Sequence, residues 1–174
     1  MEKLVRKLAL FSALAGGAAL TALVLMTCVS ILGRAFTFAG LGPVKGDFEL
    51  LEAGIAFCIF AFLPICQLKA AHATVDVFTS PLPASVNRLL IAFWEILFAL
   101  VMALIAWRLY EGMLTKLQNG ETTFLIQFPV WWAYAASMAP AVIAVLVAIW
   151  SAWDRGRAVV TGRDTRPLGG EASH

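Results

Sequence analysis

Two side chains four residues apart have the types that acid–base or metal chemistry needs. His72 and Asp76 lie in KAAHATVDVF, residues 69–78. On a helix, positions i and i+4 are neighbours. The imidazole and carboxylate could therefore form a proton-transfer pair or half of a metal site. Neither reading finds a third member. The other histidine, His174, sits in a polar tail, so a bis-histidine haem at membrane depth fails. The chain has no HExxH, GxSxG or phosphate-binding loop. Lys69 stands three residues before His72, and a helix would gather Lys69, His72 and Asp76 on one face and leave Phe78 on another. That pattern suits a short arm in the membrane interface, ended by Pro81 and Pro83. His72 would pair with Asp76 or with lipid phosphates and do no catalysis.

Four further ionisable groups fall in or beside apolar runs, where a charge is a functional candidate by default. Arg34 follows the first run, and Glu49 and Glu52 open the second. An Arg34–Glu52 ion pair with Glu49 as a second partner is the simplest account, and acids also suit a helix N-terminus. Glu95 interrupts the third run. It must be protonated, paired inside the bundle, or buried against another subunit. A proton relay would need polar neighbours at its depth, and helices one and four offer only Thr21, Thr27, Ser30 and Ser137.

The elements that position these groups follow from composition. The chain has 174 residues, 61% hydrophobic and 14% charged, against about 25% charged in a soluble domain. We therefore expect an all-α integral membrane protein. Four apolar stretches meet the length of about 20 residues that a spanning helix needs: 8–32, 50–68, 89–107 and 129–153. Together they make one membrane domain, 1–153, with an interfacial arm between helices two and three. A polar, glycine-containing tail, 154–174, is expected to be disordered. The first run has 25 uncharged residues, too long for a signal-peptide core, and reads as a retained helix. Pro64 should bend helix two or mark its exit, and Pro140 should kink helix four.

Basic residues set the orientation. Nine lie on the side of both termini and the arm, and four lie on the other. The positive-inside rule places both termini in the cytoplasm. Trp107, Trp131, Trp132, Trp150 and Trp153 fall near span ends and are expected as interface anchors. Cys28, Cys58 and Cys66 have no CxxC spacing and read as buried, reduced packing residues. In helix one, Ser12 with Gly16 and Ala15 with Ala19 form small-xxx-small pairs that permit close helix packing. The net charge of +2 gives no reason to expect a nucleic-acid partner.

Four features together resemble a known family. A basic start precedes a spanning helix. GDFELLE, residues 46–52, opens helix two. CQLKAAHATVDVFTSPLP, residues 66–83, follows its exit. NGETTFLIQFPVWWAY, residues 119–134, makes a polar turn and a Pro-x-Trp entry into the last helix. The arrangement is similar to the small membrane subunit (DctQ-type) of a tripartite ATP-independent periplasmic transporter. Ala71 departs from the glycine found in many relatives. The resemblance implies no enzyme activity, no cofactor in this chain, and a bacterial inner-membrane location. It implies a large multispan permease subunit holding substrate and sodium, and a periplasmic receptor capturing an organic acid. This chain would be the static membrane scaffold. The competing reading is an autonomous four-helix carrier or channel.

Overall fold

The computed structural model describes residues 2–69 and 84–161. His72, Asp76 and the rest of the expected arm lie outside the described residues, as does the tail from 162 onward. Four helices follow one another: α1, Glu2–Ala35; α2, Asp47–Leu68; α3, Ala84–Asn119; and α4, Val130–Thr161. Each is long and apolar enough to cross a membrane. At 1.5 Å per residue, α2 is about 33 Å long, close to one hydrocarbon thickness, while α3 is about 54 Å. The loops 36–46 and 120–129 share one end of the bundle, the loop end; the start of α1 and the end of α4 share the other, the terminal end.

The helices outrun the apolar stretches. Helix α4 continues through Asp154, Arg155, Gly156 and Arg157 to Thr161, so the first eight residues assigned to a disordered tail are helical. Backbone hydrogen bonding carries a helix past its apolar run when a side chain beyond it finds a partner, as Arg155 does below. Both helices also run through their prolines. Pro64 is buried inside α2 with four helical residues after it, and Pro140 lies inside α4.

Helix α4 is the hub. It packs against α3 and α2 and touches α1, and α1 packs on α2. Its most apolar window is 39% buried, against 11% for α3. Small side chains allow this: Ser137, Ala141, Ala144, Ala148 and Ser151 are all buried on α4. At the terminal end, Ala9, Leu68 and Val147 join α1, α2 and α4 in one cluster. The α1–α2 seam uses the glycines found by spacing. A Cβ on Gly16 would lie 2.8 Å from the Ala61 Cβ. Ser12 donates to the Ala61 carbonyl at 2.9 Å. The Cys58 thiol donates to the Gly16 carbonyl at 3.4 Å. Of the cysteines expected to be buried, Cys58 is, Cys66 is half-buried and Cys28 is exposed.

Helix α3 is the rim. Among its described residues Ala92 and Met102 are buried, while Leu89, Phe93, Trp94, Leu100 and Leu104 are exposed. Helices α2 and α3 both lean on α4 and scarcely touch each other, which leaves a groove between them.

Candidate functional site

Polar groups concentrate at the two ends of the bundle. At the terminal end Glu95 reaches out of α3 and meets two helices at once. Arg155 of α4 donates from Nε to Glu95 Oε1 at 3.0 Å. The Gln67 amide, at the end of α2, donates to Glu95 Oε2. The Glu95 and Arg155 side chains are 11% and 14% exposed, so this ion pair is largely buried. Three helices are tied by one carboxylate. Packing against α4 sets Glu95 opposite Arg155, just past Trp153 where the apolar run of α4 ends. The acid therefore lies at the terminal end of α4's apolar run, where spacing on α3 alone suggested a position well inside the bilayer. Of the three fates open to it, these contacts correspond to pairing inside the bundle. Its partners were hard to foresee, because Arg155 was grouped with the tail and Gln67 is a lone amide ending an apolar run.

At the loop end the expected Arg34–Glu52 pair is absent. Arg34 Nη2 instead donates to Asp47 Oδ2 at 2.6 Å. The same oxygen accepts the Ser30 hydroxyl at 2.5 Å. Ser30 and Arg34 are i and i+4 on α1, so both face the first residue of α2. Glu52 lies five residues further along, about 7.5 Å deeper, and is exposed. Arg34 also lies over the Phe48 ring, 5.5 Å from its centroid. Asp47 belonged to the acidic motif and was passed over because it precedes the apolar run. In the structure it is the acid closest to the end of α1.

Glu49 has a different partner again. Its two oxygens accept the backbone N–H groups of Leu125 and Ile126, at 2.6 and 3.1 Å. These amides sit at the tip of a tight hairpin between α3 and α4. The hairpin is closed by an antiparallel bridge between Thr122 and Pro129. Thr123 N donates to Phe128 O at 2.9 Å and Val130 N donates to Glu121 O at 3.0 Å. Its base is braced by Lys116 Nζ on Glu121 at 2.5 Å and by Asn119 on the other Glu121 oxygen at 3.0 Å. Those two donors hold the Glu121 carboxyl below its ordinary range, Lys116 contributing most. Gly46 closes the joint between the loops. Its φ is +73°, and a Cβ there would sit 2.5 Å from Ile126. A 76-residue separation between Glu49 and Leu125 is invisible to local pattern.

The tryptophans divide. Trp107, Trp132 and Trp153 are exposed. Trp131 is half-buried and stacks edge-on with Trp132, centroids 5.9 Å apart. Trp150 packs against the Ala9–Leu68–Val147 cluster. Trp94 is exposed on α3 and had no role assigned. Lys69 is exposed just after α2, and its N–H bonds back to the Ile65 carbonyl at 3.1 Å.

The apolar run of α3 stops at Trp107, which implies the outer membrane boundary there. Yet Arg108 shares a cavity of about 380 Å³ with Phe60, Leu104, Ile105, Leu109 and Tyr134. Phe60 is 13 residues into the 22-residue α2. Close contact of Gly112 with the Tyr134 ring, where a Cβ would be 2.8 Å away, fixes the same register against α4. Glu95 against Gln67 sets the matching register on α2, and Arg108, 13 residues beyond Glu95, lies about 10 Å from the loop end of that helix.

Chemically, these groups fasten helices. Among the described residues no group of three His, Cys, Asp or Glu side chains gathers as a metal site. The family model described as "Tripartite ATP-independent periplasmic transporters, DctQ component" matches residues 23–157. No curated protein matches the chain.

Proposed function

The chain belongs to the DctQ component family of the tripartite ATP-independent periplasmic transporters, and from that premise we propose that it is the fixed membrane frame on which a large permease subunit works. As a DctQ component it is a transporter part and not an enzyme. Its four spanning helices make it a multipass membrane protein. Both termini face the cytoplasm in this reading, because nine of the thirteen basic residues fall, by sequence, in the two terminal segments and the segment between the second and third apolar runs. The loop end then faces the periplasm, where a substrate receptor delivers an organic acid. Sodium and substrate bind in the large subunit.

The observation that carries the frame reading is how the polar groups at the two ends of the bundle are used. Glu95 ties α2, α3 and α4 together; Asp47 ties α2 to α1; Glu49 ties α2 to the α3–α4 hairpin. A carrier needs polar groups that exchange partners as substrate passes, whereas these are committed to holding helices in one arrangement. An elevator-like large subunit needs a body that does not move with it, and an internally fastened apolar plate resists displacement.

The test separates assembly from transport. Glu95→Ala and Asp47→Ala are introduced into the full transporter. We expect less large subunit recovered with the chain, and unchanged substrate affinity and sodium dependence in the complexes that do form. Normal assembly with altered sodium coupling would overturn the frame reading.

A further inference from the structure

The two ends of the bundle balance their charges differently. Toward the loop end, cations are paired within the chain: Arg34 with Asp47, Lys116 with Glu121 and Arg108 with Glu111. At the terminal end Arg155 is paired with Glu95. Lys3, Arg6 and Lys7 of α1 are exposed there, as is Lys69 at the exit of α2. None of these four has an acid partner among the described residues. Packing sets where they lie. Val5 packs on the cluster of Ala9, Leu68 and Val147, so the first two turns of α1 lie level with the end of α2. Val5, Ala9, Ser12 and Gly16 mark the packed face of α1. At 3.6 residues per turn Lys3 and Lys7 fall on the opposite face. Leu10, Phe11 and Leu14 follow them into the apolar run, 51%, 68% and 65% exposed. One face therefore carries two cations at the edge of the apolar run and bare hydrocarbon directly beneath, over about 10 Å from Lys7 to Leu14. Exposed Trp94 and Trp153, each within two residues of the Glu95–Arg155 pair, mark the same boundary. Asp154 is also exposed at this end, but on α4, which packs against the other face of α1.

We propose that this outer face of α1 binds an anionic phospholipid, its phosphate held by Lys3 and Lys7 and its acyl chains laid along Leu10, Phe11 and Leu14. The order of the residues selects the ligand. A soluble acidic segment would satisfy the two ammonium groups and leave the apolar strip uncovered, whereas a phospholipid supplies an anion and hydrocarbon in the same order and on the same side. Lysine binds phosphate as a point charge. A zwitterionic headgroup brings its own cation and leaves the lysines uncompensated, so net negative lipid is favoured. Basic residues beside a spanning helix attract such lipid within a Debye length of the surface. Arg6 flanks the face and Lys69 adds to the field at the same level. At the loop end the paired cations give no comparable attraction. The site needs no other subunit.

Native mass spectrometry of the full-length chain in detergent tests this. The probes are phosphatidylglycerol, phosphatidylcholine with the same acyl chains, and inorganic phosphate. We expect phosphatidylglycerol to be retained more strongly than phosphatidylcholine, and less so as salt rises. Lys3→Gln with Lys7→Gln should weaken phosphatidylglycerol binding about thirtyfold and leave phosphatidylcholine binding and thermal melting unchanged. Lys3→Arg with Lys7→Arg keeps both charges and should retain the preference. Lys45→Gln, which removes an exposed cation at the loop end, should have no effect. Equal retention of the two lipids by the wild-type chain, an equal loss in Lys45→Gln, or displacement of the lipid by inorganic phosphate would each overturn the proposal. In native membranes holding the intact transporter, p-benzoylphenylalanine at Leu14 should label lipid. A crosslink there to another subunit or to a second copy would mean that protein covers the face, and would also overturn it.

Discussion

Removing Arg155 loads the terminal-end tie most directly. Its Nε lies 3.0 Å from Glu95, and the two side chains are 14% and 11% exposed. An exposed pair at this distance would contribute about 0–1 kcal/mol. Burial raises the cost, because breaking a buried pair by removing one member costs about 3–5 kcal/mol. Gln67 still donates to the other Glu95 oxygen, which places Arg155→Ala near the lower figure, about 3 kcal/mol. For a chain of this size each kcal/mol moves Tm by about 2–4 °C, so the variant should melt roughly 6–12 °C lower. Tryptophan fluorescence of the detergent-solubilised chain reads this well, since Trp150 and Trp153 flank the site on α4. The double variant Glu95→Leu/Arg155→Leu removes both charges, and a buried pair replaced by apolar residues is often neutral. It should recover most of the lost Tm. Single changes that shift Tm by less than about 2 °C, or a double variant that melts at the sum of the two singles, would refute the idea of a coupled buried pair.

Other outcomes follow from the same geometry. Gly16→Val should destabilise the α1–α2 seam by about 1–3 kcal/mol, since even a bare Cβ meets Ala61 at 2.8 Å; thermal melting reads it. The Ser137 hydroxyl is buried with no hydrogen-bond partner among the described residues, so Ser137→Ala should be neutral or stabilising, and a clear loss of Tm would contradict this. Glu49→Ala should speed hydrogen exchange at the Leu125 and Ile126 amides while leaving exchange in α4 unchanged. Glu121 is held below its ordinary carboxylate range by Lys116 and Asn119. The contribution of that brace is full at neutral pH and is lost as pH falls below about 4.5, the ordinary value. Exchange at the hairpin amides, corrected for intrinsic rate, should rise there and not between pH 6 and 8.

Much of this architecture can be read without coordinates. Four apolar runs separated by charged or glycine-containing turns give four spanning helices, because a bilayer leaves the backbone no other choice within one segment. Ser12 and Gly16 show the α1–α2 seam because close packing is encoded at i, i+4 spacing. What failed was partner choice. Arg34 was matched to Glu52 by assumed depth, whereas Asp47 lies nearer and shares its oxygen with Ser30. Arg155 was assigned to a tail by composition, and its side chain proves to be buried against Glu95. Periodicity within one segment carries no information about such offsets. The Glu49 clasp on the hairpin depends on how two loops fold back, which no local motif encodes.

Flux into proteoliposomes tests the central claim most directly. The purified chain alone, and the chain with its large subunit and receptor, are reconstituted under an inward sodium gradient with a radiolabelled organic acid. A fixed frame predicts uptake by the complete transporter and none above empty liposomes for the chain alone. Sodium-driven uptake by the isolated four-helix chain would contradict the account.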